Sequence, residues 1–397
     1  MMVQTQKNIK VITGNYSVAE AARLARVKVV SAYPITPQTT IVEKLDEYIE
    51  TGKMDAVMIR VESEHSALAA AYGAAAGGVR AFTATSSQGL LYMHEMVWWV
   101  ANSRIPLVMA VGTRVLGPPW NIWDEHSDLL DQRDTGWLIA MAANNQEVLD
   151  MLIQMFRVTE DERVFLPGMV GLDAFILTHT SEPVDIPDQE IVDQFLPERK
   201  QPYIIEPGNP ISMGNLPSTA VVHARLRYDM WKSMQNAKEV IRQTAREWEK
   251  LTGRFSGDLV ECYRCENAKY FIVGMGAWTG DMKEAVDILR DNGYEVGLFR
   301  LRFVRPFPDE EVAKYLSNAK GVIVFDRAVS MGSGGPIFLD LGYRIRNVPV
   351  TDVIAGLGGE DVNFNMFSEV VKGLISEVEK EGEFKKLINF YIGGELQ

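Results

Sequence analysis

Two short segments hold the residue types and spacings best suited to chemistry. Tyr33-Pro34-Ile35-Thr36-Pro37 is a polar loop stiffened by two prolines, which fix φ and restrict the residues before them. Stiffness suits a loop that holds a small substrate, although Thr36 also reads as a helix cap. Downstream, Val61-Glu62-Ser63-Glu64-His65 places two carboxylates at a strand-to-helix junction. Attraction of acids to a helix N-terminus explains one of them. A buried carboxyl that passes a proton to a bound heterocycle is the functional alternative, and Glu64 is its candidate.

Arg114 ends the apolar run Ile105-Pro106-Leu107-Val108-Met109-Ala110-Val111-Gly112-Thr113. A guanidinium there needs an anion, either a substrate carboxylate held by its planar fork or an internal partner among Asp124, Glu125 and Asp128. Gly117-Pro118-Pro119-Trp120-Asn121-Ile122-Trp123-Asp124-Glu125-His126 is rich in proline and aromatics, so it reads as a shaped loop. Trp120, Asn121, Asp124 and His126 are its candidate substrate-facing residues. Thr85-Ser86-Ser87-Gln88-Gly89 ends another strand with polar donors and forms a third wall, from Ser87 and Gln88.

These segments work together only if one scaffold gathers them. Through the first 180 or so residues, apolar runs at 27–32, 56–61, 80–85, 105–111, 136–141 and 164–171 alternate with helical patterns at 17–25, 37–48, 63–76, 89–101 and 146–158. Such alternation predicts a parallel sheet covered on both faces. Its ligands sit beyond the carboxyl ends of the strands, where all the candidates above fall. Thr36-Pro37 is expected to start one helix and Asn145 to cap another. The small-residue helix around 67–78 is expected to pack closely, since Gly73 lowers its helix propensity.

Residues 1–182 form this unit. Prolines at 183, 187, 197, 202, 207, 210 and 217 open an arm over 183–258, which closes with a long amphipathic helix near 224–252. A second α/β unit fills 259–397.

Composition removes several function classes. With 397 residues, 47% hydrophobic, 23% charged and a net charge of −13, the chain describes a soluble protein of two domains. The negative charge argues against nucleic acid or an anionic membrane as main partner. No span-length apolar run and no signal pattern occur, so a cytoplasmic protein is expected. The two cysteines, Cys262 and Cys265, lack the further ligands of a zinc or iron–sulfur site and read as incidental thiols. No metal site is expected on this chain. Gly274-Met275-Gly276-Ala277-Trp278-Thr279-Gly280 has the wrong glycine spacing for a dinucleotide fingerprint, and Arg300 stands where ribose binding wants an acid.

Several motifs together resemble one family. Tyr-Pro-Ile-Thr-Pro (33–37), Glu-Ser-Glu-His-Ser-Ala (62–67), Phe-Thr-Ala-Thr-Ser-Ser-Gln-Gly-Leu (82–90), Pro-Pro-Trp-Asn-Ile-Trp (118–123), Arg-Asp-Thr-Gly-Trp (133–137) and Gly-Leu-Asp-Ala-Phe-Ile-Leu-Thr-His (171–179) are similar to the α subunit of 2-oxoacid:ferredoxin oxidoreductases. Arg305-Pro306-Phe307-Pro308 and Ile354-Ala355-Gly356-Leu357-Gly358-Gly359 extend the likeness through the second unit. The pyruvate/2-oxoisovalerate type with separate subunits matches best. The resemblance implies a pyrimidine-binding (PYR-type) thiamine diphosphate domain followed by a transketolase-C-like α/β domain. It implies β, γ and δ subunits, with the diphosphate, Mg2+ and [4Fe-4S] clusters held outside this chain. The activity implied is CoA-dependent oxidative decarboxylation of a small or branched 2-oxoacid, with ferredoxin as electron acceptor. Glu64 would bond the pyrimidine N1′ and the wall of Tyr33, Pro34, Ile35, Ser87 and Gln88 would hold the ring, while Thr36 and Arg114 would contact the substrate. The segment Glu125-His126-Ser127-Asp128 departs from the family's usual pattern, which leaves the 2-oxoacid open.

Overall fold

The computed structural model describes residues 8–214 and 216–397. Two seven-stranded sheets make up the chain, and apolar runs explain both. Val108–Thr113 and Gly168–Asp173 are buried along their whole length, as central parallel strands must be when helices cover both faces. In the first sheet the order is Phe303–Arg305, Leu138–Met141, Gly168–Asp173, Val108–Thr113, Ala81–Thr85, Val29–Ala32, Val57–Arg60. All neighbours are parallel except the first pair. The second sheet runs Glu395–Leu396, Ile388–Ile392, Val350–Ile354, Gly321–Asp326, Tyr270–Gly274, Val296–Leu301, Val260–Tyr263. Its two outermost strands are antiparallel to their neighbours.

The strands without a sequence signal lie at or next to sheet edges or in the small antiparallel pair Ile9–Thr13 with Ser181–Asp185. That pair accommodates Pro183, since an edge strand can spare a donor. Phe303–Arg305 leaves the second unit to add an antiparallel edge to the first sheet. The two sheets are therefore joined by main-chain pairing as well as by packing.

The arm helix Ala220–Thr252 starts at Thr219, whose hydroxyl accepts from the Val222 N–H, and stops at Gly253 in the left-handed region at φ 74°. Its first turns are exposed, while Val240, Ile241 and Trp248 are buried. Trp248 meets Phe195 edge-on at 4.8 Å. Burying such a ring contributes about 2–3 kcal/mol to holding the arm down.

Local expectations needed correction. The helix expected from Thr36-Pro37 is Thr39–Glu50, because the Gln38 N–H bonds Ile35 O at 2.8 Å and makes residues 35–38 a turn. The cap of Asn145–Thr159 is Asn144, whose side chain accepts from Glu147 N, and Asn145 is the first helical residue. The pattern at 89–101 resolves into Ser87–Tyr92 and His94–Asn102. A side chain at Gly73 would meet nothing within 4 Å, so close packing inside this chain does not account for that glycine. Cys262 and Cys265 are joined as a disulfide, not separate thiols. No helix among the described residues is long and apolar enough to cross a membrane.

Candidate active site

The candidate residues fall at the carboxyl ends of four adjacent strands of the first sheet. Thr36 follows Val29–Ala32, Glu64 follows Val57–Arg60, Ser87 follows Ala81–Thr85, and Arg114 follows Val108–Thr113. Parallel strands put every carboxyl end on one side, so residues far apart in sequence share one crevice.

Glu64 is the first residue of the helix Glu64–Ala76 and is 9% exposed. Ser63 caps that helix by accepting from Ser66 N at 3.2 Å, which turns the chain inward at position 64. Glu62 stays outside, where its carboxylate accepts from the Ser66 hydroxyl. The two acids thus divide between the surface and the crevice. Glu64 has no side-chain hydrogen bond or ion pair among the described residues. Its carboxyl lies against Gly89, where an added Cβ would sit 2.8 Å from Glu64 Oε1 and 2.5 Å from Thr85 Oγ1. Thr85 is buried and its hydroxyl has no partner among the described residues, and Thr83 is the same. A buried acid beside unpartnered hydroxyls is built to meet a polar group from outside the chain.

Arg114 is half-buried. Its guanidinium donates from Nε to Asn121 O at 3.1 Å and from Nη1 to Thr36 O at 2.8 Å. Carbonyls orient it, and no carboxylate pairs with it among the described residues. Burial lowers its pKa, with Asp128 opposing. The internal salt bridge weighed from sequence is absent from that guanidinium: Asp128 takes the Arg114 backbone N–H at 3.1 Å instead. Thr36 is exposed and offers its carbonyl to Arg114, and its hydroxyl has no partner among the described residues. Gln38 Nε2 donates to Tyr33 O at 2.7 Å, and Asn15 Nδ2 donates to Pro37 O at 2.7 Å, so the loop of Tyr33, Pro34 and Ile35 is braced from behind.

Ser87 is buried with φ 50°, a left-handed backbone that a side chain disfavours. Its N–H donates to Asp128 Oδ2 at 2.7 Å and its hydroxyl to Val115 O. Gln88 Nε2 reaches Gly117 O at 3.2 Å. The polar wall after the third strand is therefore tied to the loop that follows the fourth.

The loop 117–126 divides in two. Trp120 is 71% exposed and remains free to meet a ligand or partner. Asn121 Nδ2 instead donates to Gly358 O at 2.8 Å, and Gly358 N donates to Glu125 Oε2 at 3.1 Å, fastening the loop to the second unit. Asp124 and His126, expected to face substrate, are buried between the two units. His126 Nε2 lies 3.0 Å from Asp173 Oδ1, Arg327 Nη1 lies 2.7 Å from Asp124 Oδ2, and Thr113 Oγ1 donates to Asp124 Oδ1 at 2.7 Å. Ala277 N donates to Asp173 Oδ2 at 2.9 Å. The glycine loop at 274–280 is thus a seat for Asp173, and a Cβ at Gly276 would meet its carboxylate at 2.9 Å.

Burial and the neighbouring Asp173 charge raise the Asp124 pKa. For His126, burial lowers the pKa but Asp173 and Asp124 outweigh it and leave the imidazole raised. Burial would raise Asp173, and His126 holds it below its usual range. Asp124, His126 and Asp173 have the spacing of a metal cluster. The Arg327 guanidinium already supplies the cation that the two carboxylates need, so the cluster reads as an interdomain ion network.

Sequence reasoning passed over Asp173 and Arg327, named Asp128 only as an ion-pair partner for Arg114, and gave Thr85 and Gly89 only as the ends of the polar wall. Asp173 ends a strand just as Arg114 follows one, which was a usable signal. The others had none, because their roles arise from contacts between distant segments.

Comparison with known proteins was made against this geometry. Residues 20–246 match the family described as pyruvate flavodoxin/ferredoxin oxidoreductase, thiamine diP-bdg. Residues 268–367 match pyruvate:ferredoxin oxidoreductase core domain II. The chain is 45% identical over 386 residues to pyruvate synthase subunit PorA of Pyrococcus furiosus, spanning 96% of this chain and 97% of that one. It is 44% identical over 387 residues to ketoisovalerate oxidoreductase subunit VorA of Pyrococcus horikoshii, spanning 96% and 97%. Among solved structures, a chain of 2-oxoglutarate:ferredoxin oxidoreductase from Magnetococcus marinus superposes with TM-score 0.72 at 17% identity, covering 92% of this chain and 65% of that longer one. At that identity the likeness is one of fold.

Proposed function

The chain belongs to the pyruvate flavodoxin/ferredoxin oxidoreductase family, as the α subunit of a 2-oxoacid:ferredoxin oxidoreductase, and from that premise we propose how its residues serve the reaction. The reading is that Glu64 bonds a ring nitrogen of thiamine diphosphate, while Arg114 and Thr36 receive the carboxylate and carbonyl of pyruvate or a branched relative such as 2-oxoisovalerate. Tyr33, Pro34, Ile35, Ser87 and Gln88 line the ring. The subunit names of the relatives imply partner chains. On this reading the β, γ and δ chains hold the diphosphate, Mg2+ and [4Fe-4S] clusters, ferredoxin takes the electrons, and coenzyme A takes the acyl group.

The observation that carries the proposal is the unpartnered, buried Glu64 carboxyl. An acid whose residue is 9% exposed, beside the unpartnered Thr85 hydroxyl, fits a nitrogen heterocycle that needs one strong hydrogen bond. Thiamine diphosphate, when bound, supplies the nucleophilic carbon and the electron sink that decarboxylation requires. Glu64 contributes by moving a proton to and from the ring nitrogen. Arg114 acts earlier: its Nη2 faces no carbonyl among the described residues and is free for an anion. The charge it binds departs as carbon dioxide, so its contact weighs on substrate binding more than on the chemical step.

Glu64→Gln in the assembled enzyme tests the assignment. It should lower turnover by roughly 10²–10⁴ while leaving assembly intact. Wild-type turnover in that variant would remove Glu64 from the mechanism.

A further inference from the structure

Asp128 is fully buried, and its carboxyl has no ion-pair partner among the described residues. Its carboxylate accepts three main-chain N–H bonds: Ser87 at 2.7 Å, Arg114 at 3.1 Å and Leu129 at 2.7 Å. Leu129 belongs to its own short helix, Ser127–Leu130, and anchors the acid there. The other two donors come from different strand ends, one before the Gln88 wall and one at the proposed substrate cation. Oδ2 takes both, so a single oxygen sets the spacing between those loops. Ser86 Oγ to Gly112 O at 2.6 Å, and Ser87 Oγ to Val115 O, run alongside the same seam.

Burial pushes the Asp128 pKa up to about 7 while the three N–H bonds pull it down, so the ionised form, which accepts at both oxygens, is the one these donors favour. Ser87 occupies the left-handed region at φ 50°, which an L residue adopts only when its surroundings hold it there. The charge-assisted bond to its N–H supplies that hold. The same charge fixes the Arg114 main chain, from which the guanidinium reaches Thr36 and Asn121. We infer that Asp128 is a positioning residue for substrate binding, setting the Arg114 guanidinium against the 33–37 loop through the bond it shares with Ser87. This rests on the reading of Arg114 as the carboxylate contact.

The test is steady-state kinetics on the assembled enzyme, with pyruvate or 2-oxoisovalerate as the varied substrate, whichever is turned over. Asp128→Asn keeps the shape and removes the charge. It should raise KM about tenfold, the worth of a weakened charge-assisted bond, with kcat within about threefold. Arg114→Ala should raise KM further, and the double variant should be no worse than Arg114→Ala alone, because Asp128 acts through Arg114. A purely structural role would instead add to the Arg114 effect or lower kcat. Additive losses, or an unchanged KM in Asp128→Asn, overturn the inference. An unchanged KM in Arg114→Ala overturns the substrate reading beneath it, and the two failures are told apart by which variant is silent. Should Asp128→Asn assemble poorly, the comparison moves to a Ser87→Gly background, where the left-handed backbone carries no side-chain cost.

Discussion

Gly89→Ala isolates the placement of Glu64 from its chemistry. Position 89 lies inside the helix Ser87–Tyr92, where alanine is favoured over glycine by about 1 kcal/mol, so by helix propensity alone the variant is stabilised. The surroundings oppose it: the new methyl would lie 2.5 Å from Thr85 Oγ1, 2.8 Å from Glu64 Oε1 and 3.0 Å from Glu64 Cγ. Ordinary contact begins near 3.4 Å, so the Glu64 carboxyl must retreat by about 0.5 Å and the Thr85 hydroxyl by about 1 Å. Both are ends of side chains that can rotate, which makes displacement cheaper than unfolding. A shift of that size in a proton-carrying group costs on the order of 10²-fold in rate. The expected result is kcat reduced about 10²-fold, with the melting temperature of the assembled enzyme within a few degrees of wild type. Gly89→Ser should be at least as damaged. Wild-type kcat in Gly89→Ala would refute the reasoning, since the methyl would press on this acid at two atoms as well as on the Thr85 hydroxyl. Loss of activity accompanied by loss of assembly would also refute it, by showing a packing site in place of a catalytic one.

Three further outcomes are expected. Arg114→Ala should raise KM for 2-oxoacids by about 10–100-fold, and equal losses for uncharged 2-oxo compounds would exclude a carboxylate contact. Glu147 is fully buried: burial would raise its pKa, but Arg300 and Arg302 override this and bring it down to about 2. A depressed acid adds stability above its unfolded value near 4.5 and loses it as pH falls toward 2, so in urea unfolding wild type should lose about 2 kcal/mol more unfolding free energy than Glu147→Gln on going from pH 5 to pH 3; parallel pH curves for the two would show that the cluster is not so poised. Arg327→Met leaves Asp124 and Asp173 sharing one imidazole and should destabilise the chain by about 3–5 kcal/mol, read by denaturant midpoint, with a midpoint at the wild-type value counting against the ion network.

What the sequence made legible was whatever repeats along the chain. Apolar runs at 27–32, 56–61 and 80–85 located the strands Val29–Ala32, Val57–Arg60 and Ala81–Thr85 to within two residues, because the strands of a parallel sheet carry their own apolar pattern. Edge elements such as Phe303–Arg305 and Val260–Tyr263 carry no such period, since each is specified by the strand it joins. The same division holds in the crevice. Thr36, Glu64, Ser87 and Arg114 were visible because each ends or follows a strand. Asp128 was visible only as a possible ion-pair partner, since nothing in Ser127-Asp128-Leu129 announces that its carboxylate will meet the main chain of residues 87 and 114.

The misplacement of Asp124 and His126 follows from the same limit, and it changes how the loop 117–126 must be understood. Two acids and a histidine in an aromatic-rich loop have the composition of a catalytic segment. The composition is equally that of an interdomain joint, and only the positions of Arg327 and Gly276 in the other unit decide between them. With the joint formed, Asn121, Asp124, Glu125 and His126 all bond to the second unit or to residues that do, while Arg114 Nε hangs from the Asn121 carbonyl. The second unit therefore reaches the proposed substrate cation through this loop, while no side chain of the second unit bonds Thr36, Glu64, Ser87 or Arg114 among the described residues. A change at Gly358, whose carbonyl and N–H hold Asn121 and Glu125, should on this reasoning be felt at Arg114 before it is felt at Glu64, whose support comes from the first sheet alone.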